Sequence, residues 1–237
     1  VFYTPYFSHP DPSVKRKSGF LPPSIKNFTN LGRAFKTPYF LEIGDSKDFT
    51  FTPVYYTEEN SVFLGEYRQK NKNSELYVDT SYSKGYKKLN KKSDDGSTIQ
   101  RTGGSRNHFF FNFLGSYDDL LFASNDLEMN IQKISQKNYL KVHQINTLNI
   151  KQDVSALQND VILRSYEDNK QLTLEAYVYE NLNEDTPNKK YHYTLPSITF
   201  NNFFRRFDQS INLSNDFSAK NLGENINQTH QINKITT

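Results

Sequence analysis

Apolar and polar side chains trade places at every second position along most of this chain, and that spacing leaves few folds open. Phe49, Phe51 and Tyr55 alternate with Thr50, Thr52 and Val54, and Phe63, Gly65 and Tyr67 alternate with Leu64, Glu66 and Arg68. Leu76, Val78 and Tyr82 alternate with Glu75, Tyr77, Asp79 and Ser81, and Phe109, Phe111 and Phe113 face away from His108 and Asn112. Leu127, Met129 and Ile131 alternate with Glu128, Asn130 and Gln132; Leu172, Leu174, Ala176 and Val178 alternate with Thr173, Glu175 and Tyr177. A period of two is that of a strand with one apolar face. No helix-period stretch of useful length appears, so the expected class is all-β and antiparallel, with about a dozen strands. Several runs approach the ~9–11 residues of a tilted membrane strand rather than the ~5–6 of a soluble one. The apolar face is either the core of a soluble sandwich or the lipid-facing wall of a barrel, and periodicity alone leaves both open.

Composition narrows the class. Hydrophobic residues make up only 35% of the 237, yet aromatics reach 15%, with 16 Tyr, 19 Phe and no Trp. A disordered chain is poor in aromatics, so disorder is excluded. Tyrosines in this number suit an interface belt, where each ring has one apolar and one wet end. No stretch approaches the ~20 apolar residues of a membrane helix. With no cysteine there are no disulfide or thiolate metal sites in this piece, and a net charge of +3 argues against nucleic acid as a partner. The chain opens on Val1 without a signal peptide, as expected of a fragment or a processed piece.

The first 25 residues break the pattern. Pro5, Pro10, Pro12, Pro22 and Pro23 are five of the nine prolines. Proline has no backbone N–H to give a ladder, and it pushes the preceding residue to extended geometry. His9-Pro10-Asp11-Pro12 therefore reads as a stiff elbow. Lys15, Arg16 and Lys17 follow it, and Ser18-Gly19-Phe20-Leu21 opens the first strand-like run. Read from residues alone, this joint is either a domain linker or an edge strand built to pair weakly.

The run Pro10-Asp11-Pro12-Ser13-Val14-Lys15-Arg16-Lys17-Ser18-Gly19-Phe20-Leu21 closely resembles the entry to the barrel in the LptD family, which assembles lipopolysaccharide in the Gram-negative outer membrane. Looser similarity lies in stretch 110–119, which ends FNFLGSYDD, and in 156–166 and 191–200. Tyr193-Thr194-Leu195-Pro196-Ser197-Ile198 is similar to a Leu-Pro-Glu strand start, with Ser197 where Glu is common. Pro196 is expected early in its strand, where a missing donor is tolerated.

The resemblance implies part of a transmembrane antiparallel barrel larger than these strands. Residues 1–17 would be a hinge (Pro5, Pro10, Asp11, Pro12) from a missing periplasmic jellyroll, and 18–237 the amino-terminal part of the barrel. Ser18, Gly19, Phe20, Leu21, Pro22 and Pro23 would form a lateral gate. Glu66, Arg68, Glu75, Asp79, Glu128 and Gln132 would line the lumen. Lys15, Arg16 and Lys17 are candidate contacts for glycolipid phosphates, or a solvated charge run. The implied partners are lipopolysaccharide, a plug lipoprotein LptE where one exists, and the bridge protein LptA or its equivalent through the jellyroll; energy would come from an inner-membrane ATPase. If the first strand rises from the periplasm, the short turns at Gly44–Lys47 and Asn71–Ser74 are periplasmic and the basic, glycine-containing loop Lys84–Arg106 is extracellular, the asymmetry expected of such barrels. A part-barrel with two open edges is expected to aggregate when expressed alone.

Signals for catalysis are poor, and no enzyme is expected. His9, His108, His143, His192 and His230 show no ligand spacing, so no metal is expected. Asp94-Asp95 and Asp118-Asp119 read as turn residues. No serine has a nucleophile-elbow context, and Gly103-Gly104 is no phosphate cradle. Two other readings remain: a smaller outer-membrane porin or receptor closed by these strands, and a soluble all-β binding module.

Overall fold

The computed structural model describes residues 16–87, 89–92, 98–101, 103–147, 152–183, 190–205, 212–223 and 232–236. The expected hinge residues Pro5, Pro10, Asp11 and Pro12, and Lys15 after them, lie outside the described residues.

The strands are β1 (Gly19–Phe20), β2 (Ser24–Phe28), β3 (Gly32–Lys36), β4 (Tyr39–Gly44), β5 (Lys47–Tyr56), β6 (Val62–Lys70) and β7 (Ser74–Ser83). After the small hairpin β8 (Asn90–Lys92) and β9 (Thr98–Gln100) come β10 (Arg106–Asp118), β11 (Ser124–Ile134), helix α1 (Tyr139–His143), β12 (Ala156–Glu167), β13 (Lys170–Asn181), β14 (Tyr191–Arg205), β15 (Asn212–Gly223) and β16 (Ile232–Thr236). One 14-stranded sheet runs β1-β4-β5-β6-β7-β10-β11-β12-β13-β14-β15-β16, with β2 paired to β3 and β3 to β5. Its ladders are antiparallel, and β1 and β16 stand at the two ends of that order. Among the described residues no helix is long and apolar enough to cross a membrane, which says nothing of crossing by strands.

The register shows how the first strands are built. β3 and β4 face β5 as one arm: Lys36 lies opposite Val54 and Tyr39 opposite Phe51, three steps on each side. β1 and β2 form the arm before it, but Phe20 opposite Tyr39 and Ser24 opposite Lys36 make four steps against three. Leu21-Pro22-Pro23 is thus a bulge that splits the arm. Pro196 likewise sits at a register shift against both β13 and β15. It is the sixth of the 15 residues of β14, and the bulge is what makes room for a residue without a donor.

The two faces differ as the alternation requires. In β5, Asp48, Thr50, Thr52, Val54 and Tyr56 are buried while Phe51 and Tyr55 are exposed. Opposite residues share a face, so Leu41, Phe49, Tyr67, Val78, Phe111 and Ile131 form one apolar row. Phe51 and Phe63 stack on that face with centroids 6.2 Å apart. At Gly65 a Cβ would meet the Phe49 ring at 3.1 Å, so the aromatic surface closes over the gap a glycine leaves. Phe20, Phe51, Phe63, Phe109, Ile131 and Val161 are all exposed, with no second layer of the described residues over them.

The opposite face carries the buried core at the end where loops 84–105 and 135–155 lie. Phe110, Leu157 and Leu182 pack with Tyr139, Leu140 and Ile145 of the α1 segment. Beside them Leu31, Ala34, Val54, Tyr56 and Val62 form a second cluster. Sequence periodicity did not foretell α1: five residues are too few to show a 3.6 repeat. The turns at the other end, such as Asp45-Ser46 and Asp168-Asn169, are short.

Candidate functional site

The edge arm is held sparsely. Ser18 Oγ accepts from Glu42 N at 2.8 Å, Gly19 and Phe20 face Phe40 and Tyr39, and Leu21 N donates to Pro38 O at 2.9 Å. In an antiparallel ladder the N–H and C=O of one residue point at the same neighbour. The donor that Pro38 lacks is therefore one that would face the first arm. Thr37 N donates to Pro53 O at 3.3 Å, so by the same geometry Pro53 lacks a donor toward the second arm. Pro22-Pro23, Pro38 and Pro53 lie side by side on three consecutive arms, a seam of missing donors. Each omitted bond forgoes roughly 1 kcal/mol net in water, and more where lipid offers no substitute partner. Phe20 and Ile25 are 79% and 73% exposed on the apolar face. The sequence reading had singled out Pro22 and Pro23 but not Pro38 and Pro53, whose alignment with them exists only once the register is known.

Glu66, Arg68, Glu75, Asp79, Glu128 and Gln132 lie on one face, the one that carries α1. Glu66 is opposite Asp79, Arg68 opposite Tyr77, Glu128 opposite Leu114 and Gln132 opposite Phe110. A polar row crosses this face: Asp48, Arg68, Tyr77, Asn112, Asn130, Asp160 and Tyr177 stand opposite one another in turn. Asn112 Nδ2 donates to Asn130 Oδ1 at 2.5 Å, and Asn130 Nδ2 to Asp160 Oδ1 at 2.7 Å. Buried polar groups need partners, and this row supplies them strand to strand. Glu75 pairs with Lys70, Glu128 accepts from Arg164 at 3.3 Å, and Gln132 Oε1 accepts from Gln158 N at 2.8 Å.

Arg16 pairs with Asp48, whose other oxygen accepts from Arg68 Nε at 2.6 Å. Asp48 is thus clamped between the entry segment and β6, beside a cavity of about 500 Å³ that Lys70, Glu75 and Asn112 also line. Lys17 is exposed. Arg16, a candidate phosphate contact, pairs with this carboxylate and stays half-exposed.

At the other end of this face a buried network pins α1. Ser81 Oγ lies 2.5 Å from His108 Nδ1 and 2.8 Å from Tyr139 OH, and His108 Nε2 is 2.9 Å from Asp79 Oδ1. Ser81, His108 and Asp79 have the composition of a nucleophile triad. Ser81 is only 3% exposed, however, and Tyr139 occupies its hydroxyl, so no substrate carbonyl can reach it. The trio is a docking network. His143 Nδ1 lies 3.2 Å from Tyr56 OH; burial, with Arg106 adding, lowers its pKa to about 4, so the imidazole is neutral. Burial also pushes the Tyr139 hydroxyl up to about 12. None of these long-range partners is signalled by local sequence. Glu59 is likewise a buried anchor: it accepts from Arg101 Nη1 at 2.5 Å and from Lys87 N at 2.8 Å. Arg101 and Arg106 lie over the Tyr86 ring, at 4.3 and 3.9 Å, so the base of the long basic loop is pinned to the sheet. Among the described residues no cluster of His, Asp or Glu could hold a metal ion.

No family model matches the chain. The chain is 30% identical over 204 residues to the LPS-assembly protein LptD of Pseudomonas fluorescens, and 30% identical over 200 residues to that of Pseudomonas putida. The LptD of Pseudomonas entomophila is 28% identical over 204 residues. These matches cover 84–85% of this chain and 20% of each relative, so the chain spans about a fifth of the length of the curated relatives it matches. Over the stretch these relatives share, the chain is an LptD-like protein.

Proposed function

We propose that this chain is the first part of an outer-membrane β-barrel that delivers lipopolysaccharide to the outer leaflet of a Gram-negative bacterium. The uncovered apolar face meets lipid, and the polar face that carries Glu66, Arg68, Glu75, Asp79, Glu128 and Gln132 lines the lumen. Acyl chains pass sideways into the membrane past Ser18–Pro23, while the sugar portion moves along the lumen. Residues 1–17 join the barrel to a periplasmic jellyroll that meets LptA or an equivalent bridge, and an LptE-like lipoprotein occupies the remaining lumen where one is present. The chemistry is transport, with no bond made or broken by this chain.

One observation carries the gate: among the described residues the first arm is split at Pro22-Pro23, with further donors missing beside it at Pro38 and Pro53. An edge with few ladder bonds is the cheapest place to part a closed sheet. The LptD likeness supports the cargo. The test is a photocrosslinking side chain placed singly at positions 18–25 of the full-length protein in cells. Capture of lipopolysaccharide at Phe20, Leu21 or Ile25, but not at Tyr82 on the same face four arms away, is the expected result. Uniform capture, or none, would remove the gate.

A further inference from the structure

We propose that the turn at residues 119–123 is a lipid anchor, an apolar tip that sits in the interface of the leaflet at the short-turn end. The proposal rests on the barrel reading above. Three observations lead to it.

The turn has the wrong chemistry for water. Other described turns at this end are Asp45-Ser46, Asn71-Lys72-Asn73 and Asp168-Asn169, all polar. Here the chain places Leu120, Leu121 and Phe122, and Leu120 and Leu121 are 58% and 52% exposed. Half-exposed leucines at a turn tip gain little from folding, whereas burying the rest of their apolar surface in hydrocarbon is favourable.

The turn also bends onto the outward face and is held there. Asn125 shares a face with Leu127, and it stands opposite both Tyr117 and Ser165. Asn125 Oδ1 accepts from Leu121 N at 3.2 Å, Phe122 N at 3.4 Å and Ser165 Oγ at 2.6 Å. Its Nδ2 donates to Tyr117 O at 3.1 Å and Phe122 O at 2.8 Å, and Phe122 N donates to Ser165 Oγ at 2.9 Å. Asn125 and Ser165 are 1% and 0% exposed. Two polar side chains that would be unsatisfied against hydrocarbon are thus sealed under the turn, and the surface it offers in their place is leucine.

The patch is continuous with the apolar wall. The row directly above it is Leu127, Leu163, Leu174 and Ile198. Lys170 lies over the Phe122 ring at 6.0 Å and within 3.3 Å of Glu167, and Tyr117 is exposed beside it. A cation and a tyrosine flanking an apolar tip are the pairing found at headgroup level. The occupant is therefore phospholipid.

The test uses the full-length protein in proteoliposomes of phosphatidylethanolamine and phosphatidylglycerol. Leu121→Cys and Leu120→Cys are labelled singly with an environment-sensitive fluorophore, with Phe111→Cys as the mid-wall reference. Leu120 is the more exposed of the two, and it is Leu121 N that donates to Asn125, so Leu120→Cys keeps the test alive if Leu121→Cys fails to fold. The expected result is blue-shifted emission at 120 and 121, quenched by phospholipid carrying a nitroxide near the headgroup and shielded from aqueous iodide. Iodide quenching at 120 and 121 with lipid quenching at 111 would overturn the anchor and leave the barrel standing. Shielding from both quenchers would overturn it in favour of a covering protein. A water-exposed label at 111 would defeat the barrel reading, and the anchor with it.

Discussion

The amino-terminal edge and the middle of the sheet are made from the same alternation but are stitched differently. Between β12 and β13 the register runs unbroken through twelve pairs, from Ala156–Asn181 to Glu167–Lys170. The first arm reaches its neighbour through two pairs at β1 and five at β2, with a bulge between. No difference in apolar content accounts for this, since Phe20 and Ile25 keep the outward face as faithfully as Val161 and Leu163 do. What differs is the supply of backbone donors. Two prolines in one arm, one in the next and one in the third withdraw N–H groups at a single level, and the middle has nothing comparable until Pro196, where a bulge absorbs it. Side-chain patterning thus sets where a strand lies, and backbone donors set how firmly it stays there.

That contrast can be broken from the middle first. Phe110→Ala, in the cluster that α1 closes, is expected to cost about 3–5 kcal/mol. Thermal unfolding of the full protein in detergent measures it, and a loss no larger than at the edge would deny the middle its greater stability.

Acid should loosen the inward segment next. His143 has a folded pKa of about 4 against 6.5 unfolded, so the undocked form takes up the proton first. Docking of α1 is at full strength above about pH 6.5 and weakens as pH falls toward 4, by roughly 3 kcal/mol at the limit. Protection factors in 139–145, exchange rates taken relative to the intrinsic rate at the same pH, should therefore fall on acidification and stay high in His143→Phe. Equal pH dependence in both would show that another group is responsible.

The edge should respond in the opposite sense to repair. Pro22→Ala with Pro23→Ala returns donors to the first arm and should firm its pairing by about 1–2 kcal/mol. Slower exchange at Leu21 and Glu42, whose N–H groups join the first arm to the second, and slower lipopolysaccharide transit are the expected readouts; faster exchange would mean that the prolines shape the bulge and not its strength. The smallest effect is at the clamp. Arg16→Gln removes one half-exposed charge pair and leaves Asp48 its pairing with Arg68, so it should cost on the order of 1 kcal/mol or less. Greater mobility of a spin label at position 17 would report it.

Much of this was legible beforehand. The strand-rich class, which residues of β5, β7, β10 and β13 share a face, the short turns and the weak first run all follow from local rules. A period of two, a proline without an N–H and a Gly-Asp-Ser turn act within a few residues, so sequence alone carries them. What stayed hidden was whatever joins distant positions: Arg16 to Asp48, Ser81 to Tyr139, His143 to Tyr56, Asn125 to Ser165. No local rule announces such pairs.

The alternation by itself determined that this chain would make antiparallel strands with one apolar and one polar face, because side-chain direction in a strand is fixed by parity. Only the tertiary structure decided that Pro22, Pro38 and Pro53 would meet in one seam, that α1 would lie on the polar face, and that an Asp-Leu-Leu-Phe turn would fold over the apolar one. Those outcomes depend on register and on contacts between residues 16 to 87 positions apart, which are settled by the packing of whole strands and loops and by no short stretch of sequence.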